Sequence, residues 1–171
     1  DVHIEPMGIY TSKGYKDVKD IKEGGTIVLN NDPANTARGL KLLAQAGLIE
    51  LDKSAELPSD TDVTSNPKKL KFKETDAAQL ARSLQDLDAA VINGNYAIDA
   101  GLNPTKDPIA VESGENNPYA NIITVHRGDE KKKDIVALVD VLHRVNGDPV
   151  TAQTLACAEQ HDVVAIRMPV L

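Results

Sequence analysis

The chain has 171 residues, enough for one sizeable hydrophobic core or for one complete lobe plus part of a second. Its 19 basic and 26 acidic residues give a formal charge of −7, which argues against nucleic acid or an anionic membrane surface as the main partner. Cys157 is the single cysteine of the sequence, so an intrachain disulfide and a cysteine-based metal cluster are excluded.

The N-terminal part begins in a strand-like run. Residues 2–10 predict a strand that is interrupted at Pro6-Met7-Gly8, where the missing N–H donor and the glycine indicate an edge, a bulge or a hinge. Residues 17–23 carry apolar side chains at helical spacing. Because the strand-like run at residues 2–10 is not preceded by a charged n-region or a long apolar stretch, we expect that any targeting signal or lipid anchor was removed or never belonged to this sequence.

The stretch that follows predicts a strand, a turn and the start of a helix. Residues 26–29 (TIVL) are β-branched and apolar, residues 30–36 offer short capping side chains around a proline, and a helix is expected from about residue 36 to residue 46. Arg38 falls in the first turn of that helix, where a cation opposes the helix dipole. A guanidinium beside a helix N-terminus suits a carboxylate ligand, although local chemistry alone favours an Arg paired with a neighbouring Asp or Glu.

The middle of the chain predicts alternating helices and strands. Residues 52–69 are polar and indicate a surface excursion, and residues 68–73 alternate as a half-buried strand does. A capped helix is expected over residues 76–84. Residues 89–92 (AAVI) are apolar without alternation, which is typical of a strand buried on both faces of a parallel sheet. Residues 93–96 (NGNY) then lie at its carboxyl tip, where α/β proteins usually bind ligands.

The remaining elements are predicted from shorter patterns. We expect strands at residues 109–112, 122–125 and 163–166, a helix that begins at about residue 129, and helical structure within residues 151–160. The four histidines are isolated and lack the spacing of metal ligands or of a nucleophile and its base, so no metal or catalytic site is predicted.

Four pieces of the sequence together carry a family resemblance: residues 5–10 (EPMGIY), residues 31–33 (NDP) with Arg38, residues 91–97 (VINGNYA) and residues 118–121 (PYAN). In this order they resemble the methionine-binding lipoproteins of the NlpA/MetQ type, the solute-binding components of methionine ABC importers. The similarity runs from about residue 2 to residue 143. It is therefore more specific than any single motif.

The resemblance implies an α/β fold of the periplasmic-binding-protein kind, type II, with one complete lobe plus part of the second. Residues 1–25 are expected to form part of lobe 1 and the hinge, and residues 26–112 the α/β domain of lobe 2. Residues 113–144 are expected to hold the return crossover and a lobe 1 helix. Residues 145–171 do not match the family pattern and are left unassigned.

The resemblance also implies a ligand and the side chains that bind it. Arg38 would hold the α-carboxylate of methionine or of a methionine-containing analogue, while Asn93 and Asn121 would hydrogen-bond the amino-acid head group. Asn35, one helical turn before Arg38, is a secondary candidate. Taken singly, Asn93 is better explained by a tight turn before Gly94, and Asn121 by a turn or cap. No cofactor, metal or chemical step is implied.

A departure from the family at the N-terminus bears on the expected partners. The family proteins are longer at the N-terminus, where they carry the lipid-attachment cysteine and residues that hold the methionine side chain, so we expect an N-terminally truncated relative. Its partners would be the ligand and an ABC permease, with self-association of the truncated chain as a further expectation. Its location would be extracytoplasmic, lipid-anchored in the full-length protein. The alternatives are a non-transporting interaction module and an enzyme on the same fold that acts on a small carboxylate.

Overall fold

The computed structural model describes residues 5–113, 117–119, 123–146, 153–156 and 163–167. The contacts between them separate two compact units. One unit comprises residues 6–113. The other comprises Glu5 and the described residues from 117 onward.

The first unit is built on a five-stranded sheet. The unit has seven strands, which are, in chain order, β1 (Met7–Tyr10), β2 (Thr26–Asn30), β3 (Glu50–Leu51), β4 (Val63–Ser65), β5 (Lys71–Thr75), β6 (Ala89–Asn93) and β7 (Ala110–Val111). The large sheet has the order β5-β2-β6-β1-β7, and β3 pairs with β4 separately. Strand β2 is parallel to β5 and β6, whereas β1 is antiparallel to β6 and β7.

This pairing brings three chain segments to one end of the sheet, which we call the carboxyl end because β2 and β6 both finish there. Asn30 is the last residue of β2 and Asn93 is the last residue of β6. Strand β1 runs the other way, so its first residue, Met7, lies opposite Asn93. The opposite end, where β2 starts at Thr26, is called the amino end.

Helices cover both faces of the sheet. Helix α1 (Pro33–Gln45) packs on one face, and the short helices α2 (Leu80–Ser83) and α3 (Gly94–Asp99) pack on the other. Successive residues of a strand point to opposite faces, so the strands supply two cores. The core beneath α1 includes Met7, Ile9, Ile27, Leu29, Val91, Leu40 and Leu43, and the other includes Tyr10, Val28, Ala90, Ile92, Leu80 and Ala97.

Most predicted elements of this unit are confirmed, with shifts that have local causes. Helix α1 begins at Pro33 because Asp32 is its N-cap and Pro33 fits the first helical position. The helix predicted over residues 17–23 is only a 3-10 turn at Val18–Asp20, closed by a capping box with Asp17. The helix predicted at 76–84 is a 3-10 turn, Ala77–Gln79, followed by α2. The surface excursion includes β4, which the sequence did not indicate.

The second unit contains a three-stranded antiparallel sheet and one long helix. The strands are β8 (Ile123–His126), β9 (Gln153–Ala156) and β10 (Val163–Arg167), in the order β8-β10-β9, and the helix is α4 (Lys133–Asn146). The strand predicted at 163–166 is confirmed. The helical prediction for 151–160 is wrong at residues 153–156, because their backbone pairs with β10. The rest of that range lies outside the described residues.

The division into units bears on the predicted lobes. Strand β1 lies between β6 and β7, so residues 6–25 are part of the same compact unit as residues 26–113. The sequence placed residues 1–25 with another lobe and a hinge. Which unit corresponds to which lobe of the family fold, and the role of residues 113–144 as a crossover, stay predictions.

Candidate functional site

The start of helix α1 is fixed by side chains at the carboxyl end of the sheet. Asp32 caps the helix, since its Oδ1 accepts the backbone N–H of Asn35 at 3.0 Å. The backbone N–H of Asp32 in turn donates to Asn30 Oδ1 at 3.1 Å. The hydroxyl of Thr36 lies 2.6 Å from the carbonyl oxygen of Asn30 and 2.9 Å from that of Asp32. The helix start is thus tied directly to the end of β2.

Arg38 lies one turn deeper in this helix than the sequence predicted. Because α1 begins at Pro33, Arg38 is its sixth residue and belongs to the second turn, so the first-turn placement was wrong. The next residue, Gly39, lets the helix pack closely, since a Cβ there would lie 3.0 Å from Leu29 Cδ2. Arg38 is only 7 % exposed. A buried guanidinium at this depth needs a fixed anionic partner.

Glu112 supplies that partner from the strand end beyond β7. Arg38 Nε lies 3.1 and 3.2 Å from the two carboxylate oxygens of Glu112, and Arg38 Nη2 lies 2.5 Å from Glu112 Oε2. Glu112 is held to β1 as well, because its Oε2 accepts the Met7 N–H at 3.3 Å and its own N–H donates to the Met7 carbonyl at 2.9 Å. The ion pair that local chemistry favoured is therefore present, with a partner far along the chain.

Glu112 contacts the guanidinium along a defined side. A guanidinium carries five N–H donors in a plane, so the Nε–Nη2 side and the Nη1–Nη2 side can each hold a carboxylate. Glu112 occupies the Nε–Nη2 side. An arginine held in this way is a rigid cation whose orientation is set before any ligand arrives. Sequence analysis gave Glu112 no role. The available signal was an acidic residue that ends an apolar run at the carboxyl end of the sheet.

Asn93 and Asn35 belong to a second polar arrangement, which we call the Asp32–Asn35–Asn93 network. Asn93 Nδ2 donates to Asn35 Oδ1 at 2.9 Å, and Asn35 Nδ2 donates to Asp32 Oδ2 at 2.7 Å. The Asn93 side chain does not cap α3, so a purely local turn or cap role does not describe it. Asn93 is 9 % exposed, and its Oδ1 is buried without a hydrogen-bond partner among the residues described.

An unpartnered buried amide oxygen is costly, since its desolvation is not offset by a hydrogen bond. Asn93 therefore presents an open acceptor at the carboxyl end of the sheet, opposite Met7. Met7 also binds Glu112, the partner of Arg38. Met7 thus lies next to the open acceptor of Asn93 and is hydrogen-bonded to the carboxylate that pairs with Arg38. This combination suits a small zwitterion, whose carboxylate needs a fixed cation and whose ammonium needs neutral oxygen acceptors.

The structure brings three of the four predicted site residues into one unit. Arg38, Asn35 and Asn93 all lie at or near the carboxyl end of the sheet, although Asn35 uses its side chain to hold Asn93 and Asp32. Asn121, the fourth, lies outside the described residues. Over the described ranges, no group of three or more His, Cys, Asp or Glu could hold a metal ion.

One groove on the first unit does not coincide with these residues. It has a volume of about 600 Å³, lies between the later part of α1 and the β3–β4 pair and is lined by residues such as Lys41, Ile49 and Pro58. None of the predicted site residues lines it. Open and free of buried charge, it lacks the fixed polar groups of a specific ligand site.

Comparison with known proteins links this geometry to one family. The sequence profile of the NlpA lipoprotein family matches residues 1–160. The methionine-binding lipoprotein MetQ of Bacillus subtilis is 49 % identical over 146 residues, which are 83 % of this chain and 53 % of that protein. The chain spans about half the length of the curated relatives it matches.

Solved structures agree with the fold. A nutrient-binding protein from Burkholderia cenocepacia, crystallised with methionine, has a TM-score of 0.77 at 45 % identity, over 82 % of this chain and 59 % of that one. Lipoprotein Tp32 from Treponema pallidum has a TM-score of 0.78 at 38 % identity, over 86 % and 62 %. The predicted α/β fold of the periplasmic-binding-protein kind is thereby confirmed.

Proposed function

This chain belongs to the NlpA lipoprotein family, and on that premise we propose that it binds methionine, or a methionine-containing analogue, and delivers it to an ABC transporter. The observation that carries the proposal is the open acceptor of Asn93, close in the fold to the buried cation of Arg38. Relatives support it, since the Bacillus subtilis protein is named as methionine-binding and the Burkholderia cenocepacia protein was crystallised with methionine.

In this proposal Arg38 binds the α-carboxylate of the ligand. Glu112 holds the plane of the guanidinium from its Nε–Nη2 side, and the ligand carboxylate binds the guanidinium oriented in this way. A planar guanidinium can bind a carboxylate in a two-point geometry, which orients the ligand as well as attracting it. Arg38 thus acts as a fixed anchor.

The ligand ammonium is bound by neutral oxygen atoms. Asn93 Oδ1 is a buried acceptor without a partner among the described residues, and Asn121 is assigned to the same head group by the family resemblance alone. Asn35 contributes indirectly, because both ends of its amide are engaged by Asn93 and Asp32. The site binds its ligand without changing it chemically.

The proposal extends to location and transport partner. We assign the protein to the extracytoplasmic side, lipid-anchored in its full-length form, with an ABC permease as the partner that receives the ligand. The relatives named as lipoproteins support this assignment. Within the residues that the structure describes, the helices are too short or too polar to cross a membrane.

Isothermal titration calorimetry tests the proposed ligand. We expect the chain to bind L-methionine, and D-methionine and Gly-Met serve to define the analogue range. Arg38→Ala should weaken binding at least about a hundredfold, because a carboxylate would lose its charged two-point partner. Lys41→Ala, on an exposed position of the same helix, is the matched control and should bind as the wild type does.

Three results would count against the proposal. If none of the ligands produces heat with the wild-type chain, the chain does not bind methionine, and the alternative of a non-transporting interaction module is favoured. If Arg38→Ala binds as tightly as the wild type, Arg38 is not the anchor. If the ligand is recovered chemically altered after incubation, the enzyme alternative is favoured, which mass spectrometry of the recovered ligand would show.

Self-association is proposed as a second property. The observation in its favour is on α4, where Leu138 and Val141 share one face and are 45 % and 56 % exposed. We assign a second copy of the chain as the partner of this surface. Light scattering should give a mass above 18.4 kDa that falls towards this value in Val141→Lys, whereas a monomeric wild type would refute the proposal.

A further inference from the structure

We propose that Asp32 is a positioning residue for ligand recognition, which determines through Asn35 that Asn93 faces the ligand with its oxygen rather than its nitrogen. The inference rests on the proposed function, because it concerns how the head-group site tells an ammonium from other groups. Asp32 itself is engaged at the helix start and at Asn35 and is not assigned any contact with the ligand.

The Asp32 carboxylate fixes the direction of the first hydrogen bond in the network. Ionised Asp32 can only accept hydrogen bonds, so Asn35 must turn its Nδ2 towards Asp32 Oδ2, which lies 2.7 Å away. The other atom of that amide, Oδ1, then points to Asn93 and can only accept. Asn93 must therefore donate its Nδ2 to Asn35, at 2.9 Å.

The consequence appears at the far end of the Asp32–Asn35–Asn93 network. With Nδ2 used against Asn35, the atom that Asn93 has left is Oδ1, and this atom is buried without a partner in the described part of the chain. An amide can otherwise turn over with little change in shape, which would exchange an acceptor for a donor. The acceptor-only residue at one end thus sets the polarity of the group at the other.

That polarity determines which ligands fit. An ammonium group can only donate hydrogen bonds, so it is stabilised by Asn93 Oδ1 and repelled by an Asn93 Nδ2 in the same place. A hydrogen bond to a charged group changes an equilibrium about ten- to hundredfold. Asp32 therefore contributes to selection of an α-amino acid over a carboxylate that lacks the amine.

The isosteric variant Asp32→Asn tests this directly. Asn is as good an N-cap as Asp, so the start of α1 is retained. Its amide nitrogen meets Asn35 Nδ2, however, and the network can resolve this clash only by turning over Asn35 and then Asn93. We expect the affinity for L-methionine to fall about ten- to hundredfold, while that for 4-(methylsulfanyl)butanoate, which lacks the amine, stays within about twofold.

The matched control is Asp76→Asn, which removes the same charge from another N-cap. Asp76 accepts the Ala78 N–H and has no amide network behind it in the described structure. It should leave both affinities unchanged. Equal losses for both ligands in Asp32→Asn, or no loss for either, would overturn the inference. A wild-type chain that binds neither compound would overturn the proposed function and the inference with it.

A second measurement does not need a ligand. Asn93→Asp places Asn35 between two carboxylates, only one of which its Nδ2 can serve, so the unfolding equilibrium constant should rise about ten- to hundredfold. Adding Asp32→Asn frees Asn35 to donate to residue 93 and should reverse most of that rise. Urea unfolding of the four chains of this double-mutant cycle measures the coupling, and additive effects would refute the network.

Discussion

The two ends of the five-stranded sheet each hold an acid with a basic partner, yet they differ in how completely their hydrogen bonds are satisfied. At the amino end, Asp88 Oδ2 accepts the Thr26 N–H at 2.9 Å. Its Oδ1 accepts from Tyr15 at 3.3 Å and pairs with Lys22 at 2.9 Å. Both oxygens are engaged from within the chain. Lys22 is 65 % exposed and belongs to a partly solvated pair.

At the carboxyl end, the cation is buried, the acid is mostly buried, and a neighbouring amide oxygen is left open. The Arg38 and Glu112 side chains are 8 % and 12 % exposed, and Asn93 Oδ1 has no partner among the described residues. Buried polar groups that are fully bonded within the chain stabilise the fold. Those left open at the carboxyl ends of parallel strands are where a ligand can complete the bonding. The difference separates a structural cluster from the proposed recognition site on the same sheet.

The largest effect is expected from breaking the ion pair at the carboxyl end. Glu112→Gln keeps an acceptor for the Met7 N–H but leaves a buried guanidinium without its carboxylate, so the free energy of unfolding should fall by about 3–5 kcal/mol. Lys22→Gln is the matched change at the amino end. Because Lys22 is exposed, its loss should be at most about 1 kcal/mol. Similar losses in urea unfolding of the two variants would erase the contrast.

A smaller effect is expected from neutralising the acid at the amino end. Burial raises the pKa of Asp88, but the hydrogen bonds from Thr26 and Lys22 and the charge of Lys22 outweigh it, so the pKa lies below the ordinary 3.8. Asp88→Asn should lose about 1–3 kcal/mol of unfolding free energy at pH 7 and bind methionine like the wild type.

The depressed pKa of Asp88 also predicts a pH dependence with a definite sign. A carboxyl that is more acidic when folded stabilises the protein above its unfolded pKa, and this contribution is lost as the pH falls through the lower folded value. The gap in unfolding free energy between wild type and Asp88→Asn should therefore narrow below about pH 4. A gap that stays constant from pH 7 to pH 3 would show that the charge of Asp88 contributes nothing.

The smallest effect is expected at Tyr10, which tests whether an open polar group implies recognition. Its hydroxyl is buried and lacks a partner in the described structure, and burial together with the charge of Asp107 raises the pKa of Tyr10. Tyr10 packs in the core with α2 and α3. Tyr10→Phe should raise the free energy of unfolding by up to about 1 kcal/mol and leave methionine affinity unchanged. Weaker calorimetric binding would bring Tyr10 into the site.

Local patterns predicted much of the fold because they correspond to burial in the sheet. The apolar runs that became β2 and β6 identified the two central parallel strands, and their ends located Asn93. The start of α1 was misplaced by three residues because Asp32, rather than the later polar residues, caps it. That shift moved Arg38 out of the first turn, so the helix dipole no longer supports an anion site at this residue. Arg38 itself remains a predicted site residue.

The contacts within the site could not be predicted, because they join positions far apart in sequence. Arg38 and Glu112 are 74 residues apart, and nothing local to either one indicates the other. Asn93 and Asn35 are 58 residues apart, and the direction of their hydrogen bond follows from a third residue, Asp32. Residue types and strand ends were enough to nominate side chains. Their pairing and orientation required the packed structure.

The position of β1 has a consequence for how the protein is made. Met7 emerges from the ribosome before the residues it contacts, since its partner in β6, Asn93, follows it by 86 positions and Glu112 by 105. Strand β1 can therefore complete its pairing only after β6 and β7 have been synthesised. Contacts so distant in sequence close late and slow the search for the native pairing. A nascent chain acquires the complete carboxyl end of its sheet only after residue 112 has been synthesised.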